Sequence, residues 1–238
     1  MKNPKVAIVC GYGDVGKAVA KKLAGQGYAV AIISRSFDAN SEYVFFKCDI
    51  RDMAQVQEAI RQIIEKFNNI DACIYTATSE IKRQHMLDLS AEEFREDFET
   101  LVFGGFNVLK EIGQVMKNQK HGAVIGVTSA VTEPNYTSGK MGGYVAAKYA
   151  LRGVLRQMNH ELLVHGVRVH AVAPGFMRTK LNKDIPGRMD DFLVEKNPMK
   201  HLVAPEEVAE VVLFLISDKA KYLSGLSVPV TAGESSEL

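Results

Sequence analysis

Short apolar, β-branched runs alternate with longer helical patterns along almost the whole chain, and this alternation restricts the available folds more than any other feature. Residues 6–10, 29–34, 43–48, 72–76, 123–128, 167–173 and 227–230 read as strands. Between them lie helical patterns over 14–26, 53–67, about 90–116 and about 142–165, and a last helix begins at Pro205. Proline suits a first helical position, and Glu206 and Glu207 then meet the positive end of the helix dipole. The strands carry few polar positions on either side, as expected when helices cover both faces of a parallel sheet. The expected fold is therefore α/β, a doubly wound parallel sheet. No repeat, low-complexity tract or linker divides residues 1–238, so one domain is expected. Within it, residues 178–203 are polar, basic and interrupted by Pro186, Gly187 and Pro198, and they read as a mobile lid.

Composition narrows the class of partner. A chain of 238 residues with 47% apolar and 24% charged residues belongs with globular proteins. A formal charge of +1, with acids and bases interleaved, leaves no basic stripe for nucleic acid. No run of apolar residues is long enough to span a membrane, and Met1-Lys2-Asn3-Pro4-Lys5 lacks an apolar signal segment, so a cytoplasmic protein is expected. Cys10, Cys48 and Cys73 have no metal-ligand spacing and lie in or at the end of apolar runs, which makes them small buried hydrophobes. The six histidines are scattered, and no metal site is expected.

The first strand is followed by Gly11-Tyr12-Gly13-Asp14-Val15-Gly16 and then by a helical pattern. A Gly-x-Gly-x-x-Gly string is weak alone, but between a strand and a helix it suits a dinucleotide. Gly11, Gly13 and Gly16 permit a tight turn and close approach to a pyrophosphate, while the helix N-terminus offers unpaired N–H groups. After the second strand, an NAD-selective site usually places an acid against the ribose hydroxyls. This chain has Ser34-Arg35-Ser36 there, an arginine fork with two hydroxyls and no carboxylate, which favours the extra phosphate of NADP(H).

Tyr144 and Lys148 stand four apart, fifteen and nineteen residues after Ser129. With 8 Tyr and 29 Lys plus Arg in the chain, about one such spacing arises by chance, so context decides. The pair begins a helix and so shares one face, and Ser129 ends the preceding strand, so all three can converge at the carboxyl edge of the sheet. Hydride reduction of a carbonyl requires a proton for the developing alkoxide. A phenol with an ordinary pKa near ~10 is a poor partner unless tuned. A cation ~5 Å away at an effective dielectric of ~20 favours phenolate by roughly 3 kcal/mol, so Lys148 is expected to lower the pKa of Tyr144. Ser129 is expected to hold the substrate oxygen.

These residues, in this order, resemble the short-chain dehydrogenase/reductase family, and the resemblance runs from Lys5 to Gly233. It implies a Rossmann-type domain and a further set of cofactor positions: Val15, Asp49 against adenine, Ile50, Ala77, Tyr144, Lys148, and Pro174-Gly175 with Thr179 near the carboxamide. The tail from Pro205 through Gly225 is similar to members that reduce 3-oxoacyl thioesters. The family also implies a homo-oligomer, tetramer or dimer, built on its long central helices. Gly104, Gly105 and the apolar positions Phe94, Phe98, Val102, Phe106, Leu109, Leu151, Leu155 and Leu162 fit such contacts. Three places depart from the family pattern. The glycine loop places Asp14 where glycine is common, Tyr75-Thr76-Ala77-Thr78 replaces Asn-Asn-Ala-Gly, and Leu101 stands where the long helix carries the Asn of a proton-relay water. Asn107 is six residues on, about 240° around a helix, and faces elsewhere. Two functions follow: an NADPH-dependent carbonyl reductase, or a dinucleotide-binding regulatory or structural protein that lost turnover. Retention of Ser129, Tyr144 and Lys148 together favours the first.

Overall fold

Strand β1 (Val6–Cys10) is buried along its whole length and pairs in parallel with β2 (Ala29–Ser34) on one side and β4 (Ala72–Tyr75) on the other. The computed structural model describes residues 4–36, 38, 41–134, 136 and 139–235. Beyond β2 lies β3 (Val44–Lys47), and beyond β4 lie β5 (Gly122–Val127), β6 (Val167–Pro174) and β7 (Ser227–Val230). The sheet runs β3-β2-β1-β4-β5-β6-β7 with every pairing parallel, the doubly wound arrangement expected. The winding direction reverses between β1 and β4, which opens a crevice outside their carboxyl ends.

Helices α1 (Asp14–Gly25) and α7 (Pro205–Ile216) cover one face, and α2 (Met53–Phe67), α4 (Gly104–Gln119) and α5 (Gly142–Leu162) cover the other. Side chains of β1 divide between these layers with period two. Ala7 and Val9 join Val19, Leu23 and Val212, whereas Ile8 and Cys10 join Ile60, Leu109 and Leu151. Each fully buried Leu or Ile contributes roughly 1.5–3 kcal/mol, so these two layers hold the crevice rigid. Cys10, Cys48 and Cys73 are all buried. Burial pushes their thiols up, Cys48 to about 11 and Cys73 to about 12, which keeps them protonated and unreactive.

The expected helix over 90–116 is present as one helical run from Ala91 to Gln119, with a π segment in its middle. Helix α3 (Ala91–Phe98) opens on a capping box, in which Ser90 accepts from the Glu93 N–H and Glu93 accepts from the Ser90 N–H. A π turn over Glu99–Phe103 then separates α3 from α4. Within that turn the Thr100 carbonyl accepts from the Tyr75 hydroxyl at 2.7 Å, a side-chain insertion of the kind that accompanies irregular helical turns. The glycines after it serve the chain's own packing. A Cβ on Gly104 would lie 2.8 Å from Ile50 Cγ1, and one on Gly105 would lie 3.1 Å from Leu151 Cδ1.

The apolar stripes expected to make subunit contacts pack mostly within the chain itself. Leu109, Leu151, Leu155 and Leu162 are buried in the core beneath the parent sheet. Phe94, Phe98 and Val102 are half-buried, and Phe106 remains about half exposed, together with Phe103. Sequence periodicity marks an apolar face without saying what covers it, and here the sheet covers most of it. Residues 178–203 contain the short helix α6 (Asp190–Lys196) and single 3-10 turns. Among the described residues no helix is long and apolar enough to cross a membrane.

Candidate active site

The loop from β1 to α1 is shaped by its glycines. Gly11 has φ +99°, and a Cβ there would sit 2.6 Å from the Ala77 nitrogen, so the left-handed conformation and the close approach to the β4 loop both exclude a side chain. A Cβ on Gly16 would lie 2.1 Å from the Gly11 carbonyl oxygen, which lets α1 close onto its own loop. Around Gly13 no atom crowds the Cβ position. Gly13 is also the N-cap of α1 and supplies no side-chain cap, so the first N–H groups of the helix face the crevice without a side-chain acceptor there.

A cavity of about 600 Å³ extends from this loop. Of the residues singled out in the sequence, Gly11, Gly13, Ser34, Arg35, Asp49, Ile50 and Ala77 line it, and so do Ser36, Arg51, Thr76 and Thr78. A second, narrower cavity of about 120 Å³ is lined by Val15, Ser129, Tyr144, Lys148, Pro174, Gly175 and Thr179. Thr76 and Thr78 line both, so the two spaces adjoin along the carboxyl edge of the sheet. Of the expected set only Gly16 lines neither, because its role is packing within the loop. The uncapped helix N-terminus, the bare Gly13 and the hydroxyl and guanidinium groups of residues 34–36 fit the phosphates and ribose of a dinucleotide.

The region beside Arg35 is not free of carboxylate, as the sequence suggested. Pairing of β2 with β3, in register Ser34 to Lys47, brings Asp49 into the same cavity. Arg51 neutralises it through a fork, Nε to Oδ1 at 2.9 Å and Nη2 to Oδ2 at 2.5 Å, and these bonds hold the carboxyl down to about 2. Arg35, Arg51 and Asp49 together leave one net positive charge. Arg51 was missed in the sequence because its partner lies only two residues away while its site is built by strand pairing.

At the other end, Tyr144 is the third residue of α5 and is buried, and Lys148 follows one turn later, also buried. Lys148 Nζ donates to the Val127 carbonyl at 2.9 Å and lies 5.5 Å from the centre of the Tyr144 ring. Ser129 sits two residues past the end of β5; its hydroxyl accepts from the Val131 N–H at 3.4 Å and borders the same cavity as Tyr144. The expected lowering of the phenol's pKa by Lys148 does not occur in this arrangement. Burial pushes Tyr144 up to about 12; the nearby Ser129 hydroxyl and the charge of Arg83 oppose this in part, and the Asp97 carboxylate adds to it. Burial also pushes Lys148 down to about 7. Desolvation disfavours the charged form of both groups. The phenol therefore keeps its proton at neutral pH, the form that can donate.

Leu101 is fully buried against Val131, Tyr144 and Ala147, so the wall behind the phenol is apolar at that point. Asn107 faces elsewhere and donates to the Ile50 carbonyl at 3.0 Å. Asp14, noted in the sequence only as a departure in the glycine loop, and Arg83, not singled out there, tie the site to residues 178–203. Asp14 Oδ2 accepts from the Lys180 N–H at 2.7 Å, and Arg83 donates from Nε to Asp184 at 2.6 Å and from Nη2 to Asn182 at 2.6 Å. Their partners lie 166 and about 100 residues away in the chain, and no local pattern announces such pairs.

The family model described as enoyl-(acyl carrier protein) reductase matches residues 13–235. The chain is 28% identical, over 96% of its length and 98% of the relative's, to 3-oxoacyl-[acyl-carrier-protein] reductase FabG of Staphylococcus epidermidis. It is 27% identical to human (3R)-3-hydroxyacyl-CoA dehydrogenase, over 96% of this chain and 94% of that protein. Among solved structures, the ligand-free aldohexose dehydrogenase of Thermoplasma acidophilum superposes with a TM-score of 0.91 at 21% identity, covering 99% of this chain and 96% of that one, a likeness of fold.

Proposed function

The chain belongs to the short-chain dehydrogenase/reductase family of oxidoreductases, and on that premise we propose that it is an NADPH-dependent reductase that converts a ketone, in particular a 3-oxoacyl thioester, to a secondary alcohol. The observation that supports this reading most is that Ser129, Tyr144 and Lys148 line one cavity adjoining the glycine-loop cavity.

When bound, the dihydronicotinamide supplies the hydride. Ser129 donates a hydrogen bond to the substrate oxygen and orients the carbonyl. Tyr144 gives its phenolic proton to that oxygen as negative charge develops there, so hydride and proton together yield the alcohol. Lys148, anchored to Val127, stabilises the phenolate left behind and reaches the ribose side of the cavity. Leu101 and Val131 keep water from the phenol. Residues 178–203 act as the substrate lid on a single dinucleotide-binding domain. Arg35 and Arg51, with Ser34 and Ser36, bind the additional phosphate that separates NADPH from NADH.

The acyl preference rests on two supports. The relatives' names place the oxidised carbon at position three of an acyl chain. The narrow cavity is walled by Ile81, Val131, Tyr136, Met141, Met177 and Leu181, which suits an alkyl chain. The functional unit is a homo-oligomer. Loss of NADPH absorbance with a panel of 3-oxoacyl thioesters and ketones tests the reading. Faster turnover with NADPH than NADH is expected. Tight NADPH binding with no turnover of any carbonyl would favour the non-catalytic alternative.

A further inference from the structure

Arg83 is the one charged side chain besides Lys148 among the described residues that line the narrow cavity. Its position relative to Tyr144 is set by backbone, since Gln84 forms a parallel bridge with Met141, three residues before the phenol. Its guanidinium is held by the lid at two of three nitrogens, through Asp184 and Asn182. Asn182 is itself oriented, because its amide donates to the Met177 carbonyl at 2.9 Å. The third nitrogen, Nη1, has only the Met141 sulfur at 3.2 Å, and a thioether is a weak acceptor. A strong donor on the cavity wall is thus fixed in place with no strong protein acceptor for its third nitrogen.

Charge decides what kind of group would complete it. Asp184 already balances the guanidinium, so an anionic substrate group would meet no net positive charge, while a neutral carbonyl needs only the N–H. Arg83 and Tyr144 line the same cavity, so a substrate whose carbonyl meets the phenol lies beside the guanidinium. We propose that Arg83 is a specificity-determining residue whose Nη1 donates to a second carbonyl oxygen of the substrate, selecting 3-oxoacyl compounds over simple ketones. Asp184 and Asn182 are positioning residues that aim the fork and couple its placement to the lid. The assignment rests on the reductase reading above and adds to it the group that recognises the thioester.

The experiment compares kcat/KM for a 3-oxoacyl thioester with that for the matched 3-oxoalkyl thioether, in which a methylene replaces the thioester carbonyl. The wild-type protein is expected to prefer the thioester. Arg83→Met should reduce that preference about ten- to a hundredfold, the scale of one charge-assisted hydrogen bond. Arg83→Lys, which keeps the charge and stem but not the fork, should lose part of it and serves if the methionine variant does not fold. Asp184→Asn, which keeps the guanidinium but weakens the contact that aims it, should lose part of the thioester preference, and an unchanged preference would remove Asp184 from the positioning role. Equal losses on both substrates in Arg83→Met and Arg83→Lys, or no wild-type preference, would overturn the assignment and leave Arg83 a lid fastener. Wild-type turnover of neither substrate would instead overturn the reductase reading.

Discussion

Lys148 and Tyr144 stand one helical turn apart on α5, with the ammonium 5.5 Å from the centre of the phenol ring and bound to the Val127 carbonyl rather than to the phenol. Both groups are driven toward neutrality by burial, the phenol to about 12 and the lysine to about 7. A protonated phenol beside Ser129 is the resting state of a proton donor. Tyr144→Phe removes only the hydroxyl, so turnover should fall by about 10² or more while NADPH binding and the melting temperature hold. Steady-state kinetics with a verified substrate and a binding titration check this. Unchanged turnover would overturn the mechanism.

Lys148 should trade stability for activity. Its folded pKa of about 7 lies below the ordinary 10.5, so the unfolded chain binds more protons between those values and stability rises with pH across that window. The penalty is fullest below pH 7, where the ammonium is charged inside the protein. Lys148→Met should therefore raise stability near pH 6 by ~2 kcal/mol or more, with turnover lost. Denaturant melts at several pH values provide the readout, and destabilisation at the acidic end would contradict it.

Cofactor choice should reside in two arginines of different origin. Arg35→Ala removes one phosphate contact and should raise the NADPH Michaelis constant roughly ten- to a hundredfold, with little change for NADH. Arg51→Ala removes a second positive charge and also unpairs Asp49, whose carboxylate would then oppose the phosphate. It should discriminate against NADPH at least as strongly. Equal losses with both cofactors would refute the NADPH assignment.

His170, buried on β6, gives the protein an acid limb. Burial and the neighbouring charge of Arg168 push its ring from the ordinary 6.5 down to about 4. The unfolded chain takes up the proton first, so stability is full above pH 6.5 and is lost as pH falls toward 4. The span is on the order of 3 kcal/mol. His170→Leu should flatten this limb in pH-dependent melts, and an unaltered limb would assign it to other groups.

Phe103 and Phe106, 53% and 47% exposed where the π turn meets α4, leave apolar surface on the central helices that the parent sheet does not cover. Light scattering at micromolar concentration should find a homo-oligomer, and Phe106→Glu should shift it toward monomer. A wild-type monomer would refute this.

The sequence by itself determined the features that depend on neighbours along the chain. Strand and helix periodicity located the elements of the doubly wound sheet, and Ser227–Val230 forms a strand where the alternation put it. The strand-loop-helix context of Gly11 to Gly16 located the glycine loop at the crevice, and four-residue spacing put Tyr144 and Lys148 on one helix face. Only the tertiary structure decided what rests on distant segments. Pairing of β3 with β2 brought Asp49 and Arg51 to Arg35, and the Tyr75 hydroxyl met the Thr100 carbonyl inside a turn that periodicity reads as plain helix. Arg83 found its partners in a segment about 100 residues away. Burial reversed the expected shift of Tyr144, because desolvation depends on everything packed around a group, whereas spacing along a helix reports only its nearest charge.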